Sequence, residues 1–130
     1  MRQGSASKLL EEGFGRAEEV VGNPDELDRF LRRLEEKLKE VPLAGEGLAM
    51  VPVLVELVKN YATGVYPDIP IGSLIAIVSA LAYFLSPVDL IPDVIPVAGY
   101  VDDAAVIAAC LALVQSDVNE YRAWRDQREG

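Results

Sequence analysis

The chain has 130 residues, 51% hydrophobic and 25% charged, which suits one domain with a real core and excludes disorder. Its net charge of −9 repels phosphate backbones, which weighs against nucleic-acid binding. With no histidine and no glycine-rich phosphate loop, ordinary hydrolase, kinase and dinucleotide chemistry have no visible machinery.

Helical periodicity begins near the start of the chain. Leu10, Phe14, Ala17 and Val21 recur at helical spacing and predict a helix over 6–21, weakened by Gly13 and Gly15. Residues 1–10 lack the apolar stretch of a signal peptide. Asn23-Pro24-Asp25-Glu26 is a strong helix start: an N-cap, a proline at the first position and acids in the first turn. The helix it opens, over 24–41, carries Leu27, Leu31, Leu34, Leu38 and Val41 on a narrow apolar stripe. Its other face is charged, which suits a bundle or a partner helix. Pro42, Gly45 and Gly47 end it.

A third helix over 50–63 reverses the proportions, with Glu56, Lys59, Asn60 and Thr63 as one thin polar stripe. Pro52 fits only its first turn, and Gly64 is its C-cap. Residues 69–88 then run for twenty positions without a charge, the length of a membrane-span candidate. Gly72, Ala76 and Ala80 form a small-residue stripe along it. A last helix from about Val101 has a matching stripe in Ala104, Ala108 and Ala112, and it gives way to a polar tail over 117–130 bearing Tyr121 and Trp124. Cys110 lies in Ala109-Cys110-Leu111, which favours a small buried hydrophobe over a redox group, since no cation is near in sequence to lower its pKa. One cysteine also forms no internal disulfide and fits a reducing compartment.

The charges are segregated. Nine of the twelve Lys and Arg lie between Arg2 and Lys59, and the other three are Arg122, Arg125 and Arg128. The interval between Lys59 and Arg122 has acids only, and it is also the most apolar part of the chain.

Between the two apolar helices the chain stops and restarts. Ser86 and Pro87 open a short turn with Asp89 reaching back, while Pro92 and Pro96 forbid a continuous helix. Gly99 precedes the last helix, and Asp102 and Asp103 fall in its first turn, where the helix dipole favours anions. This run of Ser86, Pro87, Asp89, Leu90, Ile91, Pro92, Asp93, Ile95, Pro96, Gly99, Asp102 and Asp103 closely resembles the hallmark of the YkvA-like family, domain of unknown function 1232. The resemblance extends over about 51–124 and implies a bacterial, helical, membrane-associated protein whose molecular activity is not established.

Three readings of this region compete. In the first, Asp89, Asp93, Asp102 and Asp103 converge as a Mg²⁺ or Ca²⁺ site, since carboxylates without His or Cys suit hard cations. Helix capping accounts for the same aspartates more simply. In the second, paired aspartates share a proton for catalysis, but the glycine-aspartate signatures of such proteases are absent. The third is membrane insertion as a hairpin, with Lys59 and Arg122 holding both ends cytoplasmic and Tyr121 and Trp124 in an interfacial belt. Against it, 104–116 offers only thirteen uncharged residues, roughly 20 Å of helix against a ~30 Å hydrocarbon core. Ionised Asp102 and Asp103 would each cost about 2.5–3.5 kcal/mol near the bilayer centre. A buried central helix in an ordinary bundle explains the same apolar run, and the resemblance favours the membrane.

The expectation is an all-α bundle of about five helices: a variable region over 1–47, a YkvA-like domain over 48–126 and a tail over 127–130. It has no catalytic residues, cofactor, nucleic acid or identifiable small-molecule substrate. Residues 86–103 form a structural clasp in a non-enzymatic protein on the cytoplasmic side of a membrane, with a protein partner or self-association. The alternatives are a soluble helical interaction module and a divalent-cation or aspartate-dependent activity at the clasp.

Overall fold

The computed structural model of the chain describes residues 10–40, 48–85 and 103–129. All elements within them are helical: α1 (Phe14–Val21), α2 (Pro24–Glu40), a 3-10 turn (Leu48–Met50) leading into α3 (Val51–Ala62), α4 (Ile71–Leu85) and α5 (Asp103–Glu129).

Local chemistry sets most of the boundaries. The expected 6–21 helix is interrupted at Gly13, between a helical turn at 10–12 and α1, and its part before Leu10 lies outside the described residues. Asn23 caps α2 as expected, its Oδ1 accepting the backbone N–H of Asp25 at 3.0 Å and of Glu26 at 3.2 Å. Pro52 sits in the first turn of α3, where a missing N–H costs nothing. Gly64 leaves that helix with φ of 79°, a left-handed turn that a β-carbon would resist.

Helix α4 is the centre of the bundle, packed on by α1, α2, α3 and α5. Leu74, Ile77, Val78, Ala80 and Leu81 are wholly buried. A helix without a charged residue is stable in water only when its neighbours cover it in this way. Its fifteen residues reach about 22 Å. Among the described residues no helix is long and apolar enough to cross a membrane.

The end of the chain differs from the expected polar tail. Helix α5 runs on to Glu129, with one non-helical residue, Val114 (φ −118°, ψ 18°), where its axis changes. Val114, Val118 and Tyr121 recur at spacings of four and three and are buried, so the second half of α5 has a core face of its own. Tyr121 is therefore no interfacial anchor. It is fully enclosed, and Trp124 packs beside it with ring centroids 5.7 Å apart.

Candidate functional site

The motif the sequence singles out, from Ser86 through Asp102, lies outside the described residues. Asp103 opens α5. The convergence of Asp89, Asp93, Asp102 and Asp103 is thus a matter outside them too. What the structure does place are the helices on either side of that motif and the polar groups that meet both ends of α4.

Helix α4 has no charge, yet charges from other helices meet both its ends. At its N-terminal end, Ser73, third in the helix, donates its hydroxyl to the Asp117 carboxylate of α5. At its C-terminal end, Lys37 of α2 donates to the carbonyl oxygens of Phe84 and Leu85, the latter at 3.2 Å. The Lys37 ammonium also lies 4.8 Å from the centre of the Phe84 ring. An acid at the positive end of the helix dipole and a base at the negative end each contribute about 0.3–1 kcal/mol, and more where partly buried. Lys37 also satisfies carbonyls that the end of any helix leaves without an intrahelical partner. The sequence pattern shows none of this, because the partners lie 44 to 48 residues apart.

Helices α4 and α5 run antiparallel: Ser73 meets Asp117, and farther along α4 the Cys110 thiol donates to the Ala76 carbonyl at 3.5 Å. Burial pushes the Cys110 thiol up to about 12, so it stays protonated and packs as a small hydrophobe. Ser79, in the middle of α4, is wholly buried and donates to the Leu10 carbonyl at 2.6 Å.

A second polar group ties α3 to α5. The Tyr121 hydroxyl donates to the Glu56 carboxylate and accepts from the Asn60 side-chain amide at 2.9 Å. Arg125 reaches the same Glu56 oxygen at 3.3 Å. Burial, then the Glu56 carboxylate, raises the Tyr121 phenol well above its usual range, so it serves as a fixed donor. Tyr66 joins it edge-on at 5.1 Å and lies 4.7 Å from Trp124, whose ring carries the Arg128 guanidinium at 4.9 Å. Burial and then the nearby Glu120, Asp68 and Asp117 raise the Tyr66 phenol as well. The thin polar stripe foreseen on the third helix is therefore divided. Glu56 and Asn60 turn inward to Tyr121, whereas Lys59 meets Glu35 of α2 at 3.1 Å.

An open groove of about 450 Å³ separates α2 from α3, with Leu27 and Leu31 among its lining. Its rim charges neutralise one another through Arg32–Asp28 at 3.0 Å and Lys59–Glu35 at 3.1 Å. Among the described residues no group of three or more His, Cys, Asp or Glu side chains is placed to hold a metal. Every polar group described in the α3–α5 and α4 clusters acts as a tie between helices.

The fold and these ties define a small all-helical bundle built round an uncharged central helix. A family profile, "Protein of unknown function (DUF1232)", matches residues 73–109, from the first turn of α4 into α5. An uncharacterized membrane protein, YkvA of Bacillus subtilis (strain 168), is 33% identical over 72 residues, spanning 55% of this chain and 68% of the relative. The chain belongs to this YkvA-like DUF1232 family. No solved structure matches it.

Proposed function

We propose that the chain is a non-enzymatic helical protein that associates with a membrane from its cytoplasmic side. The observation that carries this reading is α4: a helix uncharged on every side, whose compensating charges come from other helices. Such a helix can change its surroundings from protein to lipid without burying a charge of its own. The name of the Bacillus relative, a membrane protein, points the same way. In this reading residues 48–126 are the family's helical domain, 1–47 is a variable amphipathic helical N-terminal region, and 86–103 is a structural clasp joining α4 to α5. Helix α2 offers a charged surface for a protein partner or a second copy.

Fractionation of cells expressing the full chain tests the reading. The chain should pellet with membranes and resist carbonate extraction at least in part. Recovery wholly in the supernatant would overturn it. A second reading, a helical interaction module free of the membrane, is favoured by the closure of α4 by four other helices. That reading requires the supernatant result together with a defined complex on gel filtration.

A further inference from the structure

We propose that Lys37 latches the N-terminal helix pair, α1 and α2, onto α4, and that releasing this latch is the step that bares α4 to a lipid bilayer. The proposal rests on the membrane-associated reading and adds the conformational step that reading needs, since four helices pack on α4 and bury most of its apolar side chains in the folded chain.

Two of the helices closing α4 come from the N-terminal region. Helix α1 is short, broken from the preceding turn at Gly13, and without a side-chain N-cap. A helix of eight residues is marginal alone and holds its shape only by packing. The turn before it contributes Leu10, whose carbonyl takes the buried Ser79 hydroxyl. Helix α2 is well capped and highly charged, and it contributes Leu27, Phe30, Leu31 and Leu34 to the common core. A further attachment, made directly to α4, is Lys37, whose ammonium holds the two last carbonyls of α4 and sits on the Phe84 ring.

Charge-assisted hydrogen bonds of this kind are about twice as strong as neutral ones. They are also reversible at small structural cost, because an exposed ammonium and exposed carbonyls both find water. Lys37 is only half-buried, so water reaches it when α2 lifts. Leu74, Ile77, Leu81 and Phe84 are buried in the closed bundle. Removing α1 and α2 uncovers the α4 surface they pack on, which has no charge to hold it in water. At a net charge of −9 the chain is repelled by anionic headgroups, so the bilayer suited to bared α4 is a zwitterionic one.

The test compares Lys37→Met with Lys39→Met, an exposed neighbour on the same helix that loses the same charge, in the full chain. Lys37→Arg, which keeps a cation, is the third arm. Hydrogen exchange should accelerate about tenfold or more in the last turns of α4 and α2 for Lys37→Met alone, with overall helicity by circular dichroism retained. Flotation with phosphatidylcholine vesicles should carry severalfold more Lys37→Met than wild type or Lys39→Met, and Lys37→Arg should stay close to wild type. Equal exchange in the two Met variants overturns the latch. Faster exchange in Lys37→Met with vesicle binding no higher than Lys39→Met overturns the lipid step. Membrane fractionation of the unmutated chain reports on the underlying reading independently of either result.

Discussion

The α1–α2 pair and the α3–α4–α5 body share one hydrophobic core, yet different forces hold them. The body is cross-linked by a polar knot of Glu56, Tyr121, Asn60 and Arg125, by the Ser73–Asp117 pair and by the Tyr66–Tyr121–Trp124 aromatic group. The N-terminal pair rests on the body through apolar side chains, with Lys37, the Ser79–Leu10 bond and the exposed Lys59–Glu35 ion pair among its polar attachments. An exposed ion pair adds little, about 0–1 kcal/mol. Several part-buried directional ties make the body a single unit, whereas attachments made mostly of apolar area permit one region to separate from the other.

The largest test of this contrast is Ile77→Ala. Ile77 is wholly buried on the helix both regions share. Its truncation should cost about 2–5 kcal/mol of unfolding free energy in chemical denaturation and accelerate hydrogen exchange in both regions. Effects confined to α1 and α2 would break the idea of a common core on α4.

Alkaline titration addresses the body next. Cys110 is raised from 9.0 to about 12 by burial, so the unfolded chain releases the thiol proton first. This contribution to stability is complete below pH 9 and falls by about 1.4 kcal/mol per pH unit between 9 and 12. Cys110→Ala should remove that part of the slope when melting temperature is followed against pH. An unchanged slope would mean the thiol titrates alike in folded and unfolded chains.

The smallest effect is expected from the N-terminal pair. Asn23→Ala removes the α2 cap and should cost about 1 kcal/mol. Its exchange signature should appear in α1 and α2 well before α5. Equal acceleration in α5 would join the two regions into one cooperative unit.

Local patterns made much of the fold legible. Asn23-Pro24 marked the start of α2, Pro52 and Gly64 bounded α3, and the uncharged run contains α4. The continuation of α5 is equally local, in Val114, Val118 and Tyr121, but the charges of 117–130 mask that spacing and read as a tail. The candidate site was legible in part. Cys110 was expected as a buried hydrophobe, and burial of its thiol agrees. The polar stripe of α3 was expected as one face, and the structure turns Glu56 and Asn60 inward to Tyr121 while Lys59 stays with α2.

By itself the sequence determined the all-helical class, the capped start of α2, the charge-free α4 and membership of a YkvA-like family through the residues around Ser86 and Asp103. Those are properties of residue type and short-range spacing, which caps, prolines and helical periodicity read directly. Only the tertiary structure decided that α4 is covered by four neighbours, that Asp117 and Lys37 meet its ends, and that Tyr121 is buried. Those depend on which helices come together, and no local pattern specifies a partner more than forty residues away.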